Sequence, residues 1–136
     1  LQGWQRAKAD YQNLVKRQAQ ESENYARFAN EQLVLEILPI LDNFNHALSH
    51  LPSELANNNW VKGVMFIKDQ LENILKSQGV EAMECDGKDF DPAKHEAVAK
   101  EKAKDPKKKN RILEVLQTGY MMKDKVIRAA RVKVAV

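Results

Sequence analysis

The first 38 residues constrain the fold more than any other part of the chain, because they contain no proline and only one glycine, Gly3. They consist mostly of good helix formers, which favours a single long helix. At 1.5 Å per residue that helix would be ~57 Å long. Apolar residues are sparse in it and recur every eleven residues, at Trp4, Val15, Ala26 and Ile37. A helix with one narrow apolar stripe cannot pack into a globule, so the pattern predicts that it pairs with its own copy.

A heptad spacing fits the same segment nearly as well, through Trp4, Tyr11, Gln18 and Tyr25. The two repeats predict supercoils of different handedness, because an ideal helix lies between them at about 3.6 residues per turn. The handedness of the pairing therefore stays open.

Apolar residues become denser towards the end of this segment and take the spacing of a wide buried helical face. They are Leu33, Ile37, Ile40, Leu41, Phe44, Leu48 and Leu51. Pro39 lies inside this pattern and removes one helical N–H, so we expect it to kink or break the helix near Leu38.

A second helical stripe follows at Val61, Val64, Ile67, Leu71, Ile74 and Leu75. Asn59 is predicted to cap its N-terminus, and Gly79 fits the left-handed position just past its C-terminus. Two helices joined by a short loop cannot bury their core alone, whereas two copies form an intermolecular four-helix bundle. The residues predicted to lie in the dimer interface are Trp4, Tyr11, Val15, Leu33, Ile37, Ile40, Phe44, Val64 and Leu71.

From Val80 onward the apolar period becomes that of β-strands. Short strands are predicted over 80–85, 96–99 and 112–116, and a last one over 126–136, with the hairpin tip at 123–125. The result is a small antiparallel β domain. The fold class is therefore α+β, with a long paired helix (1–38), two bundle helices (39–78) and a C-terminal β domain (79–136).

No set of residues in the sequence forms a complete catalytic or metal site. His46 and His50 are four residues apart, which is metal-ligand spacing, but no further ligand completes the set. Cys85 and His95 would be the nucleophile and base of a hydrolase, but no oxyanion hole or third member accompanies them. We therefore expect no catalytic residue, no metal and no cofactor.

The charge pattern leaves one alternative function open. The net charge of +3 is too mild by itself to indicate nucleic acid. The basic cluster of Lys107, Lys108, Lys109 and Arg111 could serve a coiled-coil nucleic-acid-binding protein, although no aromatic residue is interleaved with it. A solvated loop is favoured. No apolar run approaches the ~20 residues that a membrane span needs, so we expect neither nucleic acid nor membrane as a partner.

Two features of the helices each have two explanations, and physical arguments alone do not favour either one. Gly63 interrupts the second helix, either as a tolerated defect costing ~1 kcal/mol against Ala or as a point of close approach by another helix or a partner. Lys16 and Arg17 form either a solvated face or a docking patch for an acidic surface.

Four separated motifs resemble the GrpE family, the nucleotide exchange factors of DnaK-type chaperones. They are Trp4–Arg17, Leu38–Leu48, Phe90–Val98 and Val115–Val134. They occur in the family's order over nearly the whole chain. Two positions depart from the pattern: Ala129, where the family often has Pro, and the basic loop, where the family varies.

The resemblance implies a parallel homodimer with long paired helices, a four-helix bundle and two β domains. It also implies that one β domain docks on the ATPase domain of a DnaK-type chaperone and opens its cleft, so that ADP leaves without covalent chemistry by the factor. A bacterial cytoplasm is the implied location, or a mitochondrial matrix or plastid for a eukaryotic source. The implied chaperone contacts are Lys16, Arg17, Arg27, Phe28, Gly63, Asp91, Pro92, Met122, Lys125 and Arg128.

Arg128 gives the sharpest expectation of these contacts. Successive strand residues face opposite sides, so we expect Ile127 to face the core and Arg128 the open face, where it can pair with a carboxylate of the chaperone. Arg128→Ala should then weaken chaperone binding and leave the dimer and its melting profile unchanged. Phe28 and Met122 are expected to supply apolar anchors in the same interface.

Overall fold

The computed structural model describes the whole chain, Leu1–Val136, as two compact units, Leu1–Val34 and Leu35–Val136. The first helix, α1, spans Gln2–Ser49. Every residue from 1 to 30 is exposed, so the first unit has no apolar core along this stretch. Neither helix of the protein contains a segment long and apolar enough to cross a membrane.

Helix α1 passes through Pro39 without ending, so the expected break near Leu38 is wrong. Leu38 and Leu41 are 0% and 1% exposed, whereas Pro39 itself is exposed to solvent. The burial of these two leucines offsets the backbone hydrogen bond that the proline removes.

A loop with one 3-10 turn, Ser53–Leu55, leads to the second helix, α2, over Asn59–Ser77. The cap of α2 is Asn58, one residue before the expected position, and its Oδ1 accepts the backbone N–H of Trp60 at 2.8 Å. Neighbouring asparagines cap equally well in sequence, and only the backbone geometry selects one of them. Gly79 follows the helix with a φ of +81°, which confirms its predicted left-handed position.

The six strands are β1 Val80–Ala82, β2 His95–Glu101, β3 Ile112–Gln117, β4 Tyr120–Met122, β5 Lys125–Arg128 and β6 Ala130–Ala135. Strands β1, β2 and β3 confirm the first three predicted strands, with shifted ends. Strand β4 is not among the predicted strands. The predicted last strand is in fact two strands, β5 and β6, interrupted at Ala129.

The strands form two three-stranded sheets with the orders β1-β4-β5 and β2-β6-β3. Every pair is antiparallel, as predicted, except β2 and β6, which run parallel. Alternation along a strand reports which face a side chain takes, but it carries no information about the direction of the neighbouring strand. The protein is therefore α+β with one mixed and one antiparallel sheet.

The core of the β2-β6-β3 sheet lies on one face of β6. Ala130 and Val132 are fully buried and pack with Cys85 and Ile112. Gly119 sits so close to β6 that a Cβ at this position would lie 2.5 Å from the backbone nitrogen of Ala130. A glycine is needed here because β6 leaves no room for a side chain.

The other sheet packs against the helices of the second unit. Leu41 of α1, Leu75 of α2, Val80 of β1 and Tyr120 of β4 are buried and line a small cavity of about 190 Å³. This apolar junction places β4 and β5 beside the C-terminal part of α1.

Candidate functional site

Arg128 of β5 binds α1 and the β3–β4 connection at the same time. Its Nη1 and Nη2 donate to Oδ2 and Oδ1 of Asp42 at 2.5 and 2.9 Å. Its Nε and Nη2 also donate to the backbone oxygen of Thr118 at 3.1 and 2.6 Å. A planar guanidinium suits this arrangement because its donors diverge in a fixed fork. We call Arg128, Asp42 and Thr118 the Arg128 clamp.

The surroundings of the clamp are largely closed to solvent. The Arg128 and Asp42 side chains are 15% and 25% exposed, and the Arg128 guanidinium lies 5.1 Å from the centre of the Tyr120 ring. Burial raises the pKa of the Tyr120 hydroxyl, and Arg128 opposes that rise. Gln117 Nε2 donates to Asp42 Oδ2 at 3.4 Å. The clamp is thus a partly buried ion pair with further polar contacts.

The expectation that Arg128 faces the open side of its strand is therefore wrong. Alternation places Ile127 and Arg128 on opposite faces, but both are half-buried because α1 covers the second face. The guanidinium already has hydrogen-bond partners within the chain. Its removal should therefore change the stability of this chain as well as any binding to a partner.

The hairpin between β4 and β5 carries the two other predicted contacts of this region. Met122 is 7% exposed and pairs with Val80 of β1, so it is a core residue rather than an exposed anchor. Lys125, its partner across the hairpin, is exposed. Period 2 could not show that Met122 faces inward, because β4 contains only three residues.

The turn before β2 holds the contacts Asp91 and Pro92. Pro92 is exposed, whereas Asp91 is half-buried and its Oδ1 accepts the backbone N–H of Ala93 at 3.0 Å. His95 Nδ1 accepts the backbone N–H of Asp91 at 2.9 Å. The turn is therefore fixed at both ends by side-chain acceptors.

The predicted contacts on the long helix lie in the first unit. Lys16 and Arg17 are exposed, and Arg17 Nε lies 3.7 Å from a carboxylate oxygen of Glu21. Arg27 makes a similar surface pair along the helix at 3.6 Å, and Phe28 is 57% exposed.

Gly63 lies on the exposed side of α2. A Cβ built at this position meets no atom within 4 Å. The close approach suggested for this glycine therefore does not come from this chain, and the two explanations remain a tolerated defect and a partner.

The predicted dimer residues divide into two groups. Trp4, Tyr11, Val15, Leu33 and Ile40 are exposed large apolar residues, whereas Ile37, Phe44, Val64 and Leu71 are half-buried within the chain. Trp60 and Phe66 of α2, which are not among the predicted dimer residues, are also 77% and 69% exposed. The signal available in the sequence was that these two large aromatic residues lie outside the predicted apolar stripe of α2.

The proposed nucleophile and base do not form a pair. Cys85 is buried in the core, its thiol donates to the Met83 backbone oxygen at 3.8 Å, and burial raises its pKa. His95 directs its Nδ1 to the Asp91 amide instead. A protonated, buried thiol is a poor nucleophile, so the hydrolase hypothesis loses its site.

The remaining candidates lie on the surface. His46 and His50 are exposed with ring centres 4.4 Å apart, and no group of three or more metal-ligating side chains occurs in the structure. The basic loop is exposed throughout and contains a 3-10 turn, Pro106–Lys108, capped by Asp105. Arg111 Nε lies 3.7 Å from a carboxylate oxygen of Asp89.

Comparison with known proteins gives a consistent result. The sequence model of the GrpE family matches residues 2–136. Protein GrpE of Caldanaerobacter subterraneus subsp. tengcongensis is 40% identical over 131 residues, covering 96% of this chain and 62% of that protein. Protein GrpE of Halalkalibacterium halodurans is 40% identical over 130 residues, covering 95% and 66%. Protein GrpE of Lactobacillus johnsonii is 35% identical, covering 96% and 68%. The chain thus spans about two thirds of the length of these relatives.

Proposed function

Because the chain belongs to the GrpE family, we propose that it is a co-chaperone that releases nucleotide from the ATPase domain of a DnaK-type chaperone. The observation that carries the proposal is the family match over residues 2–136, which includes both helices and all six strands. In this proposal the protein is no enzyme and needs no cofactor. The relatives are bacterial, and we propose the bacterial cytoplasm as its location.

The proposed mechanism is differential binding. The factor binds the open, nucleotide-poor state of the ATPase domain more tightly than the closed state, and this difference in affinity drives ADP release. By linkage, nucleotide binding to the chaperone must weaken its affinity for the factor by the same ratio. If the affinities for the two states were equal, the factor could bind the chaperone but would not promote the release of ADP.

We further propose that the active form is a homodimer. Large apolar side chains stay exposed in the single chain on both helices, among them Trp4, Tyr11, Trp60 and Phe66. A monomer in water does not keep so many exposed, because apolar surface is stabilised by burial. Pairing of the long helices and a four-helix bundle would cover them. Sedimentation equilibrium of the whole chain tests this, and a monomer at micromolar concentration would contradict it.

The proposed chaperone-binding surface uses the exposed members of the predicted set. On the β domain these are Lys125 and Pro92, with Asp91 shaping the turn. Arg128 and Met122 support this surface from within, since both already have partners in the chain.

The helices contribute a second proposed surface. Lys16, Arg17, Arg27 and Phe28 are exposed in the first unit, and Gly63 lies on α2. The cations can pair with chaperone carboxylates, and Phe28 can enter an apolar pocket.

The test of the proposal is release of a fluorescent ADP from a DnaK-type chaperone in the presence of stoichiometric dimer. We expect faster release, and dissociation of the factor when ATP is added. Lys125→Ala should slow the effect, while Lys108→Ala, which removes another exposed cation in the basic loop, is the matched control. No acceleration by the unmodified protein would overturn the function, and equal effects of the two variants would overturn the assigned surface. Salt-sensitive binding to DNA or RNA at physiological ionic strength, lost in Lys108→Ala, would favour the basic-loop alternative instead.

A further inference from the structure

His95 is a buried residue whose imidazole and backbone N–H both form hydrogen bonds with one turn. It is the first residue of β2 and is 8% exposed. Its Nδ1 accepts the backbone N–H of Asp91 at 2.9 Å, and its own backbone N–H donates to the Asp91 oxygen at 2.8 Å. The Lys94 backbone N–H donates to the same oxygen at 3.0 Å. The segment 91–95 is thus closed by two backbone hydrogen bonds together with one acceptor on the His95 side chain.

The bond fixes the protonation state of the ring. Because Nδ1 accepts a hydrogen bond, it carries no proton, so the imidazole is neutral with its proton on Nε2. Protonation of Nδ1 would direct a second donor at the Asp91 amide, and the bond would be lost. The other side-chain acceptor in the turn is the Asp91 carboxylate, whose Oδ1 accepts the backbone N–H of Ala93.

We propose that His95 is a positioning residue that, through its neutral imidazole, holds the Asp91–Lys94 turn and its exposed Pro92 in the conformation that binds the chaperone. The effect on binding rests on the proposed function, whereas the closure of the turn does not. Neutral His95 is the binding-competent form in this proposal, so chaperone affinity falls when the pH falls through the titration of this one group.

The charges around His95 agree with a neutral ring at physiological pH. Burial is the main cause that lowers the His95 pKa, Asp91 opposes it, and the cations Lys94 and Lys88 lower it further. From β6 the residue opposite is Ala130, which is uncharged. Phe90 places its ring centre 5.9 Å from the imidazole and adds no charge.

One further pair of charges lies near the start of β2 and is formed between β2 and β6. Glu96 follows His95 in β2, and its carboxylate lies 4.0 Å from Nε of Arg131 in β6. These two side chains are about half exposed or more and interact with each other, so they add little net charge near the ring.

Two substitutions separate the acceptor from the rest of the side chain. In His95→Asn the amide oxygen is bonded to Cγ, as Nδ1 is in histidine, so it can accept the Asp91 N–H without titrating. His95→Ala removes the acceptor. His50→Asn, at an exposed histidine beyond the end of α1, is the matched control.

Two measurements are made on each protein as a function of pH. The first is the hydrogen exchange of the Asp91 amide in the free protein by NMR, with the His95 titration followed in the same spectra. The second is affinity for one DnaK-type chaperone, expressed as the ratio to the unmodified protein at each pH, which removes titrations of the chaperone itself.

We expect a protected Asp91 amide in the unmodified protein and in His95→Asn, and a fast one in His95→Ala. Affinity should fall about tenfold in His95→Ala near neutral pH, the effect of losing one buried hydrogen bond. Relative to the unmodified protein, His95→Asn should gain affinity as the pH falls through the His95 titration, because it keeps its acceptor. His50→Asn should show no such difference.

Equal loss of affinity in His95→Asn and His95→Ala would overturn the positioning role. An Asp91 amide that stays protected in His95→Ala would overturn the closure of the turn, whatever the chaperone does. If the unmodified protein fails to bind a chaperone at all, the proposed function fails, and the Asp91 amide still decides whether His95 holds the turn.

Discussion

The Arg128 clamp should contribute measurably to the stability of the β4–β5 hairpin. Arg128→Ala removes two hydrogen bonds to Asp42 and two to Thr118, and it leaves a carboxylate that is only 25% exposed. Removing one partner of a fully buried ion pair costs ~3–5 kcal/mol. Since solvent reaches part of both side chains, we expect about 2–3 kcal/mol here. Arg128→Lys should recover part of this, because an ammonium can pair with Asp42 but cannot also reach Thr118 in the same fork.

The assay is native-state hydrogen exchange of the amides in β4 and β5, beside a thermal melt followed by circular dichroism. A loss of 2 kcal/mol raises the exchange rate of these amides roughly 30-fold. Arg131→Ala in β6 is the control, because Arg131 also pairs with a carboxylate, but at 4.0 Å and with both side chains more than half exposed. We expect less than about 0.5 kcal/mol from it.

The reasoning would be refuted if Arg128→Ala and Arg131→Ala raised hairpin exchange equally. That outcome would mean that Arg128 is a solvated strand charge. A large change in hairpin exchange would instead mean that any loss of chaperone binding in Arg128→Ala must be corrected for the loosened hairpin. The same large change would also contradict the expectation that Arg128→Ala leaves the melting profile unchanged.

Three further outcomes follow from the structure. The long helix should melt below the temperature at which the β domain unfolds, because residues 1–30 are all exposed in the chain and polar residues interrupt its apolar stripe. Loss of the helical circular dichroism signal and of Val132 amide protection at the same temperature would contradict this. Gly63→Ala should stabilise α2 by ~1 kcal/mol in urea, because its Cβ meets open space, whereas Gly63→Asp should slow chaperone nucleotide release without dissociating the dimer in sedimentation. Gly119→Ala should destabilise the β domain by ~2–3 kcal/mol, seen as a lower urea midpoint, because its Cβ would lie 2.5 Å from the Ala130 nitrogen.

The helices and most strands were predictable because their signals are local. Helical spacing of apolar residues located α2 and the C-terminal part of α1, and alternation of apolar residues located β1 and β6. The predictions were wrong where the local pattern was too short to read or where burial of side chains outweighed it. Strand β4 has only three residues, too few to show a period, and the helix passes through Pro39 because Leu38 and Leu41 are buried by residues distant in sequence.

The candidate site was predictable only in part. The family resemblance named Asp91, Pro92 and Lys125 as contacts, and of these Pro92 and Lys125 are exposed whereas Asp91 is half-buried. It also singled out Met122 and Arg128, but for an exposed role that they do not have, because neither alternation nor motif shows which faces another element covers. The sequence made His95 a candidate catalytic base, whereas its Nδ1 accepts the backbone N–H of Asp91, four residues upstream.

What the sequence determined by itself is the type and order of the helices and of most strands, and which side chains share a face within each of them. These properties depend on neighbours in the chain, through backbone geometry and the spacing of apolar residues. What only the tertiary structure decided is which faces are covered, which strands run parallel, and which charges meet. Arg128 and Asp42 are 86 residues apart, and they form an ion pair because the apolar junction of Leu41, Leu75, Val80 and Tyr120 brings β5 against α1. No periodicity encodes that contact, since it depends on how separately formed elements pack.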